Sequence, residues 1–167
     1  MEELRIVARY AVEAAQEVLP LFEETHPNDR RARAAVDAAW TFVEGAKRTK
    51  LQRITAMDAH RAARDATNDA AKHAAHAAGD AASAAYLHPL ATATQVGHIL
   101  RAAAHAARAV ELAADGDPNV GNQRIEQARQ RATPALVDVL RRYSVAPTGK
   151  SRVAQLMKTL DTALRSH

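Results

Sequence analysis

Cysteine is missing from the 167 residues, aromatic residues make up only 4%, and glycine and proline number six each. Without cysteine there is no disulfide scaffold, no thiolate zinc site and no thiol nucleophile. No run of 18 apolar residues occurs, so no membrane-spanning helix is expected. The opening MEELRIVARY carries two acids and no continuous apolar stretch, unlike a secretory signal, and a cytoplasmic protein is the expectation. Strand-like alternation is also scarce.

Alanine fills the gap, with 41 copies. With Leu, Arg, Glu, Gln and Lys it makes the sequence rich in strong helix formers. An all-α fold follows: a single domain over 1–167, built as a compact bundle or short solenoid of about seven Ala-rich helices. A methyl group offers little apolar area, so a few large residues must carry the core. The candidates are Leu4, Val7, Val18, Phe22, Trp40, Phe42, Ile54, Ile99, Leu136, Leu140, Leu156 and Leu160. Trp40 is expected to be largely buried between the first two helices.

The apolar spacing predicts helices over about 2–22, 29–44, 50–66, 69–86, 89–114, 119–143 and 150–165. Pro20 should end or kink the first. Asn28 or Asp29 can cap the second, Gly45 can terminate it, and Thr49 can cap the third. Leu51, Ile54 and Met57 form the apolar start of that third helix. Thr67-Asn68-Asp69 divides the long Ala-rich stretch in two, and Pro89 opens the fifth helix from its first turn. Pro134 should break the sixth near 131–134.

Charge is +4 overall but uneven. Residues 1–24 hold six acids against two bases, and residues 121–167 nine bases against three acids. A basic third could meet nucleic acid, and the segment Asn122, Gln123, Arg124, Gln127, Arg129, Gln130, Arg131 offers groups that read bases and phosphates. It could equally pack against the acidic first helix.

Motifs for chemistry are thin. TGKSR at 148–152 matches half of a phosphate-binding loop, but Ser144 stands where the first Gly belongs, and Ser151 suits a helix cap better. The four serines lie outside any G-x-S-x-G. Asp65, Asp69, His73 and His76 would share a face of one continuous helix and supply oxygen and nitrogen ligands. A matching Glu-x-x-His pair is missing, so no specific divalent site is expected there and no cofactor. His98 and His105, seven apart, also share a face.

The segment 18–45, VLPLFEETHPNDRRARAAVDAAWTFVEG, resembles a group of small helical bacterial proteins: Leu-Pro-Leu-Phe-Glu, a Pro-Asp type joint, then an Arg- and Ala-rich helix ending in Trp and Gly. HAAHAAGDAASAAYLHPLATATQVGHILRAAAHAARAVE at 73–111 resembles its second half, with SAAYLHP replacing the usual Ala-Thr-Ala-His run. These are the immunity-protein-five-like proteins of polymorphic toxin systems. The resemblance covers about residues 1–115. It implies a non-catalytic protein, not an enzyme, that neutralises a cognate protein toxin by surface binding. The acidic first helix and its following joint, with Glu13, Glu17, Glu24, His26 and Asp29, are the candidate partner-binding residues. Their local negative field suits a cationic partner. Two alternatives stay open: a nuclease-related or DNA-binding protein using the basic C-terminal third, and a metal-binding helical enzyme using the Asp/His face.

Overall fold

The computed structural model describes every residue except Ala91, Ala93 and His167. Among the described residues there are eight α-helices and no strand. They are α1 (Glu2–Glu23), α2 (Arg31–Val43), α3 (Lys50–Asp65), α4 (Asp69–Ser83), α5 (Gly97–Ala113), α6 (Pro118–Arg131), α7 (Pro134–Leu140) and α8 (Arg152–Arg165), with a 3-10 turn at Ala84–Tyr86. The count is eight rather than about seven, because the segment expected as one helix over 119–143 is α6 and α7, divided at the anticipated Pro134. No helix among the described residues is long and apolar enough to cross a membrane.

Local chemistry explains most boundaries. Thr49 and Gln52 form a capping box at α3. Asn68 Oδ1 accepts the Ala71 amide at 2.8 Å, and Ser151 Oγ accepts that of Ala154 at 3.1 Å. At α2 the cap position is Arg30, and Asp29 accepts the Arg31 amide from one residue upstream. Gly45 leaves α2 at φ +115°, which favours glycine. Pro20 does not stop α1, since Glu24 still donates to its carbonyl at 2.9 Å.

Helix α4 lies centrally, packed on α1, α2, α3 and α5. Nearly all its alanines are buried, so its neighbours approach a backbone covered only by methyl groups. Larger side chains are buried elsewhere: Leu19 and Phe22 near the end of α1, Phe42 of α2 beside Arg5 near the start of α1, and Leu136, Leu140, Leu156 and Leu160 on α7 and α8.

Three expectations are corrected. The fifth helix begins at Gly97 and not at Pro89: His88 precedes proline, Leu90 is exposed, and the His88 amide is held by Gln95 Oε1 at 3.0 Å. Ala91 and Ala93, also expected in that helix, lie outside the described residues. Ile54 is not core; with Leu51 and Met57 it is about half exposed. The reason is Gln52, fully buried, whose amide donates to the Ala38 carbonyl at 3.0 Å and turns the opposite edge of α3 outward. Trp40 is only half-buried. Its indole N–H donates to Gln16 Oε1 at 2.5 Å and the Arg9 guanidinium lies over its ring, while Phe42 takes the interior.

Candidate functional site

Helical spacing puts His73, His76 and Asp80 on one side of α4, and Arg101 and His105 on one side of α5. Helix α3 adds His60 from the other flank. The three helices bring four imidazoles around one carboxyl. His60 Nε2 lies 3.6 Å from Asp80 Oδ1 and His105 Nε2 lies 3.7 Å from Asp80 Oδ2. Their opposite nitrogens face outward: His60 Nδ1 meets His76 Nδ1 at 2.7 Å, and His105 Nδ1 meets His73 Nδ1 at 2.9 Å. Gly79 permits the close approach, since a Cβ there would stand 2.7 Å from the His60 ring.

The electrostatics are unusual for so small a cluster. Burial, reinforced by its His60 and His73 neighbours, pushes His76 down to about 4. Burial also lowers His60, His73 and, most strongly, His105. Burial pushes Asp80 the other way, up to about 7, only partly offset by Arg101 at 3.9 Å. The imidazoles are therefore neutral at neutral pH, and their contacts with Asp80 are not ion pairs. Asp80 Oδ2 has no hydrogen-bond partner, and neither does the buried Nδ1 of His98 on the same helix as His105. As the rings stand, no three described His, Asp or Glu side chains are placed to hold a metal ion.

The sequence singled out His73 and His76 but gave them the wrong companions. Asp65 is exposed and paired with Arg31 at 3.1 Å, and Asp69 is exposed in the first turn of α4. His60 and Asp80 were missed, and His105 was paired only with His98 of its own helix, because the convergence needs three helices. Only the Gly79-Asp80 pair inside an alanine run hinted at a polar interior.

The expected partner-binding residues occupy α1 and its joint. Glu13 is bonded by Arg131 at 2.9 Å and Glu17 by Arg124, both from α6. Asp29 is bonded by Arg31, which holds its carboxyl below the usual range. His26 stacks on Phe22, with ring centroids 4.8 Å apart, and its Nε2 accepts the Thr67 amide at 3.2 Å. It thereby ties the α1–α2 joint to the α3–α4 joint. Glu24 is exposed. An open groove of about 810 Å³ runs beside this joint, lined by residues 25–31 with Ala34 of α2 and Thr55 and Asp58 of α3. A second, smaller one of about 560 Å³ lies between Glu13, Gln16, Glu17, Trp40 and Arg131.

The α6 surface considered for nucleic acid is largely engaged. Arg124 and Arg131 hold the α1 acids, Arg129 holds Glu126, and Asn122 accepts from Arg152.

Residues 2–134 match the family described as Imm-5 like putative immunity protein. The chain belongs to this family. The matched region runs from the start of α1 to the first residue of α7, so the histidine cluster and both grooves lie within the immunity-protein part, and α8 lies beyond it. No curated protein and no solved structure matches the chain.

Proposed function

We propose that this immunity-family member is a non-catalytic binding protein that neutralises a cognate toxin by covering it. The family match over 2–134 carries the reading. The contact face we assign is the groove beside the α1–α2 joint. It holds His26 and Asp29 of the expected residues, and Glu24 neighbours it in sequence. Leu51, Ile54 and Met57 stand exposed on α3, the same helix that lends Thr55 and Asp58 to the groove, and give apolar area beside charged groups. A binding surface combines both. Glu13, Glu17 and Glu24 fall within about 40° of each other around α1, so one side of that helix leads from this groove towards the half-exposed Trp40. Glu13 and Glu17 would have to exchange α6 arginines for partner cations. Glu24 needs no such exchange and is the better electrostatic contact.

The test is growth rescue by the full chain co-expressed with the toxin domain encoded beside its gene. Ala34 is exposed and lines the groove. Ala34→Arg should leave the melting temperature within a degree or two while abolishing rescue. Full rescue by Ala34→Arg together with Glu24→Lys would place the contact elsewhere.

A further inference from the structure

The buried cluster between α3, α4 and α5 has no part in surface binding. Four imidazoles and a carboxyl in an alanine interior are costly to bury unless each polar atom is met. Here one carboxylate oxygen is left unmet while four nitrogens crowd together in pairs.

The arrangement has a direction. Asp80 faces the Nε2 atoms of His60 and His105, which favours Nε2–H tautomers and leaves both Nδ1 lone pairs free. A carboxylate behind an imidazole is the usual support of a metal-ligating histidine. Those Nδ1 atoms point at the Nδ1 atoms of His76 and His73. Without a cation, each pair must share a single N–H, donated by His76 or His73. Three of the ring spacings are close to one another: His60–His76 and His76–His105 are 5.0 Å apart between centroids and His73–His105 5.1 Å, while His73–His76, at 6.4 Å, must close by about 1 Å to share an ion. Imidazoles bound through nitrogen at about 2.0–2.1 Å around one tetrahedral ion stand about 5 Å apart.

We propose that His60, His73, His76 and His105 form a binding site for one imidazole-preferring divalent cation, zinc above all, with Asp80 as the positioning residue behind His60 and His105. Binding opens each nitrogen pair from 2.7 and 2.9 Å to about 3.3 Å, the edge of a tetrahedron with such bonds. The two Nδ1 protons pass to the Nε2 atoms of His73 and His76, whose rings are half-exposed and give the ion its entry. Arg101, Arg64, Arg108 and Lys72 lie close enough to bear on the rings, so the local field repels cations. The ion is held by nitrogen bonds rather than by that field, and oxygen-seeking magnesium and calcium are refused. This site is independent of the toxin-binding reading.

The experiment uses the untagged full chain, stripped with chelator, titrated calorimetrically with zinc chloride at pH 7.5 and separately with cobalt. One zinc per chain is expected, with the intense visible bands of four-coordinate cobalt. Magnesium should give no heat. His73→Asn, at a half-exposed position that leaves folding intact by circular dichroism, should weaken zinc more than 100-fold. Asp80→Asn should keep the one-to-one stoichiometry, weaken binding about 10–100-fold and shift the cobalt bands. No zinc uptake, a six-coordinate cobalt spectrum, or uptake unchanged in both His73→Asn and His76→Asn would overturn the proposal.

Discussion

Two carboxylates are buried in neighbouring helices, and they are treated in opposite ways. Glu111 on α5 has no solvent exposure, yet it receives Arg108 at 2.8 Å and a forked Arg152 whose shortest bond is 2.7 Å. Burial pushes its carboxyl up, but the two arginines win and hold it below the ordinary range. Asp80 on α4 is almost equally buried and has only a distant Arg101 and neutral imidazoles, so burial wins. The first carboxylate fastens α5 to α8, and through Asn122 and the Pro118 carbonyl to α6. The second fastens nothing fully. A buried carboxyl that is completely bonded reads as structure, and one left short of partners is a candidate site.

That contrast can be broken most directly at Arg152. Arg152→Ala removes the fork and leaves Glu111 inside with one arginine, so stability should fall by about 3–5 kcal/mol. Urea denaturation measures it, and a loss under about 1 kcal/mol would mean that the Glu111 network is not a fastening.

Acid offers the next largest effect. His60, His73, His76, His98 and His105 all titrate below their unfolded value. The unfolded chain therefore binds more protons, and stability is lost as pH falls from about 6.5 towards 4. Asp80 runs the other way: its carboxyl is raised to about 7, so its own contribution improves on acidification. Five imidazoles against one carboxyl give a net loss. Thermal melts across pH 7.5 to 4.5 should show a steady decline, shallower in His76→Asn. A melting temperature constant over that range would refute the neutral-imidazole assignment.

The smallest effect is expected at Asp80 itself. Asp80→Asn removes a group that burial already disfavours as an anion, so metal-free stability at pH 7.5 should change by less than about 1 kcal/mol. A loss as large as that of Arg152→Ala would erase the distinction between the two carboxylates.

Much of the scaffold could be read from local chemistry. Thr49, Asn68 and Ser151 cap helices, Gly45 ends one and Pro134 divides two, because each acts on backbone within three or four residues. The facing of α3 was not legible. Three large apolar residues outvoted a line of alanines by size, whereas close helix approach favours the alanines and Gln52 fixes the rotation. Pro89 was misread because proline suits both a first turn and a bend outside any helix. Half of the histidine cluster was legible, since His73 and His76 are neighbours on one helix. The other half depends on how α3 and α5 are placed against α4. The internal pairing of Glu13 and Glu17 was foreshadowed only as a balance of charge, without the arginines that supply it.

The Glu111–Arg152 bond also sets an order of events during synthesis. Its two ends are 41 residues apart. At roughly 5–20 residues per second a growing chain waits about 2–8 s between making Glu111 and making its main partner. Through that interval the α5 carboxylate has only Arg108, and the desolvated form of the α5–α6–α8 junction is out of reach. A nascent chain stalled after residue 134 thus carries every element matched to the immunity family, yet must keep Glu111 wet. Closure of that junction waits for α8.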